Sequence, residues 1–372
     1  MKVMTIVGTR PELIKMSEII KKFDKATDHI FVHTGQNYDY QLNEVFYKDL
    51  GLRKPDYFLE CGGGTLAETV GKVMVEVEKV LVKEKPDAVV ILGDTNSALA
   101  GIIVKRMKIP LFHLEAGNRC FDDNVPEEIN RRILDHISDV NLVYTENQRL
   151  YLRDEGVAKD RMFIMGSPMK EILSKHITDI KASDIRISLG LEDYPPAMSP
   201  SREYFLVSIH RDENVEIKKN LDELLRTIDA INDKYKLPII VTTHPRLRNK
   251  LTDAQLSRPG INFHVPFGFL EYNNLQMGAK CVISDSGTIA EESSILGFPA
   301  VTIRNAIERP EAFDAGSILM SGVDKDNILK CIEIASAPTT IPSDYATDNC
   351  SERVLKIVLS FTPYINKYVW KK

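Results

Sequence analysis

The sequence lacks a long apolar run, a set of paired cysteines and a cluster of basic residues. Only about six apolar-leaning residues precede the first turn at Gly8, too few for a secretion signal or a membrane span. We therefore expect a cytoplasmic protein with no membrane partner. The five cysteines are odd in number, widely scattered and without a C-x-x-C pair. Neither a disulfide framework nor a zinc site is predicted from them.

Features typical of nucleic-acid, metal or dinucleotide binding are also missing. The formal net charge is -5 and no Lys/Arg run resembles a nucleic-acid arm, so nucleic acid is not an expected partner. No two histidines have the spacing of metal ligands, and Gly93 to Asn96 (GDTN) is not by itself a magnesium motif. The turn GTRP at 8–11 lacks the G-x-G-x-x-G fingerprint of nicotinamide or flavin sites. We expect no catalytic metal and no cofactor.

What the sequence does contain is a repeated alternation of short apolar runs with longer amphipathic stretches. This alternation is typical of parallel sheets whose strands are joined by helices. The predicted strands are 2–7, 29–33, 88–92, 111–114, 141–144 and 161–165 in the first half, and 204–209, 237–243, 261–265, 279–285 and 298–303 in the second. Between the strand at 29–33 and about residue 83, only helices are predicted.

The length of 372 residues suggests two domains, and the stretch 174–202, which mixes charge with three prolines, is the predicted linker. We predict an α/β fold with two doubly wound Rossmann-like domains, 1–173 and 174–350, facing a cleft. The amphipathic segment at about 351–372 has helical spacing and could pack on either domain. Ligands of open parallel sheets bind beyond the carboxyl ends of the strands, so the cleft is the predicted site.

Polar residues gather at the ends of seven predicted strands, which a shared site explains better than chance loop polarity. These clusters are Gly8 to Pro11, His33 to Gln36, Gly93 to Asn96 and His113 to Arg119 in the first half, and Ser208 to Asn214, Thr243 to Arg246 and Ser284 to Glu292 in the second. His210 and His244 each stand at a strand end and are candidates for the site.

The stretch SDSGTIAEE at 284–292 suggests an anion site. Ser286, Gly287 and Thr288 would open a helix and turn backbone N–H groups toward a phosphate, although a simple helix N-cap explains them as well. Glu292, one turn further on, could accept hydrogen bonds from a ribose diol, which favours a nucleotide. Arg10, after its tight turn, can contact a diphosphate, whereas Lys15 by itself reads as a residue of a solvated helix face.

These motifs together resemble the non-hydrolysing UDP-N-acetylglucosamine 2-epimerase family. The matching residues are GTRPE at 8–12, GDT at 93–95, H-x-EAG-x-R at 113–119, PEE-x-N-R at 126–131, HR-x-EN at 210–214, SDSG-x-x-EE at 284–292 and ERPE at 308–311. The resemblance implies the two-domain glycosyltransferase-B architecture, a last helix that returns to the N-terminal domain, and a homodimer.

Within the family, several departures point to one branch. Where the N-acetylglucosamine members read EAGLRTG, TGHRREN and TDSGGIQEE, this chain has EAGNRCFD, VSIHRDEN and SDSGTIAEE. With TGQNYDYQLN at 34–43 and EESSILGFP at 291–299, these variants are similar to the branch that makes UDP-N-acetyl-L-fucosamine from UDP-2-acetamido-2,6-dideoxy-L-talose for capsule and O-antigen sugars. After Gln36 the chain also departs from the QHRE pattern of the bacterial activation site, so that regulation is not carried over.

The chemistry of such an epimerase is elimination and re-addition of UDP. Drawing UDP away from C1 makes the C2 proton labile, a carboxylate removes it to leave a glycal, and UDP returns with a proton on the opposite face. The resemblance implies Asp94, Glu115 and Glu127 as the acid/base carboxylates, at least one with a raised pKa because grouped carboxylates repel. It further implies that His210 assists UDP departure. The other implied site residues are Arg10, Ser286, Gly287, Thr288 and Glu292 for UDP, with Lys15, Arg119, Arg131 and His244 in support.

Neighbouring acids have structural explanations. Glu128 reads as a first-turn helix residue favoured by the helix dipole, and Asp122 and Asp123 read as loop residues. The alternatives to the L-talose reaction are interconversion of UDP-N-acetylglucosamine and UDP-N-acetylmannosamine, a glycosyltransferase of the same fold, and a nucleotide-sugar sensor without turnover.

Overall fold

A computed structural model of the chain describes residues 1–36, 40–192 and 203–372, without side chains for residues 40–44, 245 and 246. These residues form two compact units. Unit 1 contains Met1–Ser174 together with Ser343–Lys372, and unit 2 contains Lys175–Pro342. No helix in the described ranges combines the length and the apolar character that crossing a membrane requires.

Unit 1 is built on a seven-stranded sheet in which every described pairing is parallel. Most of its side chains are apolar and buried, as expected for a parallel sheet covered by helices. Across the sheet the order is β3-β2-β1-β4-β5-β6-β7. The strands are β1 (Lys2–Val7), β2 (Asp28–His33), β3 (Tyr57–Phe58), β4 (Ala88–Leu92), β5 (Leu111–Leu114), β6 (Val140–Val143) and β7 (Met162–Ile164).

Helices follow each of these strands. They are α1 (Arg10–Ala26), α2 (Tyr40–Asp49), α3 (Leu66–Glu84), α4 (Gly101–Arg106), α5 (Pro126–Ile137), α6 (Glu146–Asp154) and α7 (Met169–Ala182). Helix α3 shows why the sequence folds this way: Val73, Val77 and Leu81 recur at helical spacing and are fully buried against the sheet. Its capping box, Thr65 with Glu68, satisfies the first backbone N–H groups.

Unit 2 repeats the plan with a six-stranded sheet ordered β10-β9-β8-β11-β12-β13. Its strands are β8 (Phe205–Ile209), β9 (Ile239–Thr243), β10 (Ile261–His264), β11 (Cys281–Ser284), β12 (Ala300–Thr302) and β13 (Leu319–Met320). The helices are α8 (Ile185–Ser188), α9 (Asp212–Val215), α10 (Lys218–Tyr235), α11 (Pro245–Arg248), α12 (Asp253–Leu256), α13 (Phe269–Gly278), α14 (Ile289–Leu296), α15 (Pro310–Asp314) and α16 (Lys325–Ile334). The predicted fold class, α/β with two doubly wound units, is confirmed.

The strand orders place the polar clusters. In each sheet, successive strands are added first on one side of the first strand and then on the other. The change of side lies between β1 and β4 in unit 1 and between β8 and β11 in unit 2. In a doubly wound sheet the ligand site lies at this switch point, beyond the carboxyl ends of the strands. Gly8 to Pro11 and Gly93 to Asn96 follow the strands that flank it in unit 1.

Helix α17 (Cys350–Tyr368) completes unit 1 by packing on α1. Glu171 of α7 accepts hydrogen bonds from the backbone N–H of Ser351 at 2.8 Å and from its hydroxyl group at 2.6 Å. The segment that belongs to unit 1 already begins at Ser343, before the predicted helix.

The structure differs from the sequence predictions at several places. The two-residue edge strand β13 was not predicted. A two-residue edge strand, β3, stands where only helices were predicted, because an edge strand this short carries no alternating pattern. The described part of the predicted linker is mostly helical: α7 runs across the boundary between the units and α8 follows it. The prolines of that stretch lie outside the described residues.

Helix α17 offers a direct test of how unit 1 is held together. Ile365 is fully buried, so Ile365→Ala leaves a cavity and should lower the free energy of unfolding of unit 1 by about 3 kcal/mol in urea titrations. The matched control is Ile334→Ala, because Ile334 is 68% exposed and should change stability by less than about 0.5 kcal/mol. Equal effects of the two substitutions would contradict this packing of α17.

Candidate active site

Glu115 directly follows β5 and lies in a left-handed backbone conformation, with φ of +64°. This conformation is unfavourable for a residue with a Cβ by about 1 kcal/mol or more, and such strain persists only where the surroundings impose it. Its side chain is 7% exposed. The strand end therefore holds a buried carboxylate on a strained turn, which is typical of functional sites.

A buried network supports this turn from behind. Asp135 of α5 accepts hydrogen bonds from the backbone N–H of Gly117 at 3.1 Å, from the Arg119 guanidinium at 2.7 Å and from His113 Nδ1 at 2.8 Å. Although burial by itself would raise it, His113 and Arg119 hold the pKa of Asp135 below its ordinary value. Gly117 must be glycine, since its φ is +72° and a Cβ would lie 2.5 Å from a backbone oxygen of α6.

Lys15 of α1 forms an ion pair with Glu115. Its Nζ lies 2.7 Å and 2.9 Å from the two carboxylate oxygens, and both side chains are at least 90% buried. The ammonium group also lies 5.9 Å from the centre of the Tyr144 ring, a favourable cation–π distance. Considered by itself, Lys15 was predicted to lie on a solvated helix face. In the structure it neutralises the predicted acid/base carboxylate.

Asp94, after β4, is held by α5. Arg131 donates to Asp94 Oδ2 through Nε at 2.9 Å and through Nη2 at 2.6 Å, and Asn130 donates to the Asp94 carbonyl at 2.9 Å. Glu127 lies one turn before Arg131, so the two share a face of α5. The structure thus brings Asp94, Arg131 and the helix face of Glu127 together, although they lie far apart in the sequence.

Glu128 has a larger role than the helix-dipole reading gave it. It is fully buried and accepts hydrogen bonds from the backbone N–H groups of Cys120 at 3.1 Å and Phe121 at 3.3 Å. Its carboxylate also pairs with Arg131 at 2.8 Å. Glu128 therefore fixes the loop after the strained turn and orients the arginine that binds Asp94.

Glu12 of α1 is a site residue that the sequence analysis did not single out. It is 4% exposed and accepts hydrogen bonds from the backbone N–H groups of Gly8 at 2.5 Å and Thr9 at 3.0 Å, and from the hydroxyl of Thr95 at 2.5 Å. Burial is the main cause that raises the pKa of Glu12 to about 7, with a smaller contribution from the charge of Asp94. Glu12 is thus a carboxyl group with a raised pKa in addition to the predicted set of three acids.

In unit 2 a buried aspartate holds His210. Asp285, after β11, accepts from the backbone N–H of His210 at 3.1 Å and of Arg211 at 3.0 Å, and lies 2.8 Å from His210 Nδ1. Burial would raise its pKa, but the charge and hydrogen bonds of His210 and its other donors lower the pKa of Asp285 to about 2. An ionised carboxylate only accepts, so Nδ1 carries the proton and Nε2 is left available to a ligand.

The segment predicted to hold UDP opens helix α14 in this unit. Ser286, Gly287 and Thr288 precede the first helical residue, Ile289. The Thr288 hydroxyl donates to one oxygen of Glu292 at 2.8 Å, and Gln276 Nε2 donates to the other at 2.6 Å. The carboxylate predicted to bind a ribose is thus held in place from two sides.

The remaining predicted residues are placed as follows. Arg10 is the first residue of α1, and its guanidinium lies 5.7 Å from the centre of the Phe46 ring. His244 follows β9 and is half-buried. Arg119 is fully buried among Asp135 and Glu155, in the support of the Glu115 turn. In the described part of the chain, His, Cys, Asp and Glu side chains form no group of three or more that could hold a metal ion.

The sequence signal for the missed residues was present but ambiguous. Glu12 closes the quoted motif GTRPE, and T-x-x-E before a helix is fully explained as a capping box. Asp285 lies inside SDSG, where the serines and the glycine suggested the phosphate loop. In both cases only burial and partners distinguish a site residue from a local cap.

Comparison with known proteins identifies what this arrangement is similar to. The family model of UDP-N-acetylglucosamine 2-epimerase matches residues 21–359. The UDP-N-acetylglucosamine 2-epimerase of Methanocaldococcus jannaschii is 36% identical over 369 residues, covering 96% of this chain and 99% of the relative. The UDP-2,3-diacetamido-2,3-dideoxy-D-glucuronate 2-epimerase of Pseudomonas aeruginosa is 31% identical over 364 residues, covering 95% of this chain and 98% of the relative.

Solved structures agree with these likenesses. The UDP-N-acetylglucosamine 2-epimerase of Rickettsia bellii superposes with a TM-score of 0.91 at 48% identity, and the two chains cover each other fully. The M. jannaschii enzyme in complex with UDP-GlcNAc and UDP superposes with a TM-score of 0.87 at 34% identity, covering 97% of this chain and all of the other. The predicted glycosyltransferase-B fold class and the family resemblance are confirmed.

The raised pKa of Glu12 predicts a pH-dependent stability difference. The folded state holds this proton more tightly than the unfolded state, so the resulting stability is present below the ordinary pKa of 4.5 and is lost as the pH rises through about 7. Relative to Glu12→Gln, the wild type should lose about 3 kcal/mol of unfolding free energy between about pH 4 and about pH 8.

The measurement is urea unfolding of both proteins across this pH range. The matched control is Glu68→Gln, since Glu68 closes the capping box of α3 in the same way but is exposed. If the difference in unfolding free energy between the wild type and Glu12→Gln stays constant with pH, the raised pKa of Glu12 is contradicted.

Proposed function

Since this chain belongs to the UDP-N-acetylglucosamine 2-epimerase family and is an isomerase of nucleotide sugars, we propose that it converts UDP-2-acetamido-2,6-dideoxy-L-talose to UDP-N-acetyl-L-fucosamine. The reaction inverts C2 by elimination and re-addition of UDP through a glycal, and its product would serve capsule or O-antigen synthesis. The observation that carries the reaction type is the buried ion pair of Lys15 with Glu115 on a strained strand end.

The residues of unit 1 would carry out the proton transfers at C2. A cation at 2.7 Å favours the carboxylate form of Glu115, as a general base requires. Asp94 is oriented by two donors of Arg131, and Glu127 projects from the same helix face as that arginine. We propose that removal and return of the proton are divided among these three acids, because inversion needs groups on opposite faces of the sugar.

The residues of unit 2 would hold UDP and promote its departure. With Nδ1–H committed to Asp285, the His210 ring in its protonated form would donate Nε2–H to an oxygen of the diphosphate. The backbone N–H groups at the start of α14 favour an anion, and Glu292 is oriented by Thr288 and Gln276 for a ribose hydroxyl. Arg10, at the start of α1, would add positive charge at the diphosphate.

Two observations support a sugar other than N-acetylglucosamine. The P. aeruginosa relative is named for a different 2-acetamido sugar, so the family as matched is not confined to one substrate. One set of departures from the N-acetylglucosamine pattern directly follows the strained turn, where Asn118 and Cys120 are buried and Phe121 is 66% exposed. The exposed Phe121 ring, which follows Glu115 closely in the sequence, would offer an apolar contact to a 6-deoxy sugar, whose C6 is a methyl group.

The second candidate is interconversion of UDP-N-acetylglucosamine and UDP-N-acetylmannosamine. It is favoured by the 48% identity to the R. bellii protein named for that activity. A homodimer, as the family resemblance suggests, is proposed with either substrate. The family match leaves no support for a glycosyltransferase.

Deuterium incorporation distinguishes the two substrates and tests the reaction type. Purified protein in deuterated water is expected to place deuterium at C2 of the 6-deoxy-L-talo and L-fuco sugars, followed by NMR or mass spectrometry. Incorporation into only the gluco and manno sugars would contradict the proposed substrate while keeping the reaction. Stoichiometric release of UDP without deuterium at C2 would contradict the reaction.

Glu115→Gln tests the acid/base role within the same assay. The amide keeps the shape of the side chain but cannot remove a proton, so kcat should fall about 100- to 10,000-fold while UDP binding stays within about twofold. The control is Glu146→Gln, an exposed glutamate at the start of α6, which should leave kcat unchanged. Normal turnover by Glu115→Gln would remove this residue from the mechanism.

A further inference from the structure

Glu12 joins the ends of two neighbouring strands. Its Oε2 accepts from the backbone N–H groups of Gly8 and Thr9 after β1, and its Oε1 accepts from the hydroxyl of Thr95 after β4. Strands β1 and β4 pair directly, and the doubly wound sheet changes direction between them. A single carboxyl group therefore connects the two turns that flank the switch point of unit 1.

Glu12 also lies beside the proposed acid/base groups. A Cβ built on Gly93 would be 3.7 Å from an oxygen of Glu115 and 3.9 Å from an oxygen of Glu12, so both carboxyl groups border this one glycine. Asp94, the next residue, raises the pKa of Glu12 through its charge. The two cations of this group are committed to the neighbouring acids, Lys15 to Glu115 and Arg131 to Asp94. The three donors to Glu12 are uncharged.

The hydrogen bonds show which form of Glu12 this arrangement suits. An ionised carboxylate only accepts, and it can satisfy both backbone N–H groups and take the one hydroxyl proton of Thr95. When Glu12 is protonated, its own O–H must point at the Thr95 oxygen, and the threonine hydroxyl proton must turn away. Protonation therefore reverses the hydrogen bond next to Asp94 and removes one negative charge there.

We propose that Glu12 is a positioning residue of the epimerase: as a carboxylate it fixes the turn after β1 and the Thr95 hydroxyl, and thereby holds Asp94 in the geometry for proton transfer. This inference rests on the proposed function and deepens it. Its functional consequence is a fall in kcat at low pH, an acid limb of the pH–rate profile. This limb is caused by protonation of Glu12, which is not one of the three acids proposed to transfer protons.

A purely local explanation is that Glu12 only caps α1. Glu68 of α3 provides the comparison, because it makes the same capping-box contact with Thr65 yet is exposed and has a pKa that its Thr65 hydrogen bonds lower. Capping alone therefore does not require burial or a partner on another strand. The third donor, Thr95, is 83 residues away in the sequence, and a hydrogen bond to it does not contribute to capping α1.

The experiment is a pH–rate profile of C2 deuterium exchange for the wild type and its variants. The wild-type kcat should fall about tenfold below about pH 7, as Glu12 takes up its proton. Glu12→Gln resembles the protonated form, so its kcat should be about tenfold lower at pH 8, without the acid limb, with KM and UDP binding within about twofold. Glu68→Gln should keep the wild-type profile.

Thr95 provides a second, independent variant pair. Thr95→Val removes a hydrogen bond that lowers the pKa of Glu12, so the acid limb should move upward by about half a pH unit or more. Thr95→Ser keeps the hydroxyl group and should leave the limb where it is. Because Glu12 itself is unchanged in this pair, the test holds even if Glu12→Gln folds poorly.

Three outcomes would overturn the inference: an acid limb that survives in Glu12→Gln, a limb that does not move in Thr95→Val, or a limb lost in Glu68→Gln. Carboxyl-carbon NMR of protein labelled at glutamate separates this from the proposed function. The resonance lost in Glu12→Gln should titrate at a higher pH in Thr95→Val than in wild type or Thr95→Ser. A resonance unaffected by Thr95→Val contradicts the inference even where turnover is normal, whereas absence of turnover with every UDP-sugar contradicts the proposed function.

Discussion

The buried ion pair between Lys15 and Glu115 is the interaction on which the rest of the candidate site depends. It joins the helix after β1 to the turn after β5, reaching across the end of β4. Gly93, at that end, has a φ of +81°, which favours glycine, and both carboxyl groups lie within ordinary contact distance of where its Cβ would be. Removing one member of a buried ion pair is costly because the other charge is left unpaired, by about 3 to 5 kcal/mol. The ion pair therefore helps to hold Glu115 in a left-handed backbone conformation that is otherwise unfavourable.

The two units orient their functional side chains by the same physical means, a buried carboxylate in the role of support. Asp135 accepts hydrogen bonds that hold the turn after Glu115, and Asp285 fixes the ring orientation of His210. Each accepts several hydrogen bonds, and in each the donors outweigh the cost of burial, so that the pKa is lowered. Glu12 is the opposite case, since its uncharged donors do not offset burial. Ionisation of Glu12 at this buried position therefore lowers the free energy of unfolding relative to the protonated form.

Much of this fold follows from the sequence because strands in a parallel sheet are short, apolar and end at polar turns. Strands β1, β4 and β5 begin and end at the predicted residues, and Glu115 stands at the predicted strand end. What the sequence could not provide are relations between distant residues. Lys15 reads as a solvated helix residue until its partner, 100 residues away, is known. From the sequence, Glu12 is explained as a helix cap, Glu128 as a first-turn residue favoured by the helix dipole, and Arg119 as a supporting residue of the site. Their actual roles depend on burial and long-range hydrogen bonds, which leave no periodic pattern in the sequence. Edge strand β3 is missed for a different reason, since two residues are too few to show an alternating pattern.

The return of the chain to unit 1 has a consequence for synthesis. Helix α17 packs on α1, but the ribosome makes its residues only after all of unit 2. Domains made first usually fold first, yet here unit 2 is inserted within unit 1 and can finish folding while its host still lacks one helix. Until residues 343–368 emerge, the apolar surface of α1 that α17 covers is open to water or to chaperones. The acid/base turns of unit 1, which depend on α1 through Lys15 and Glu12, would then be among the last parts of the molecule to become fixed.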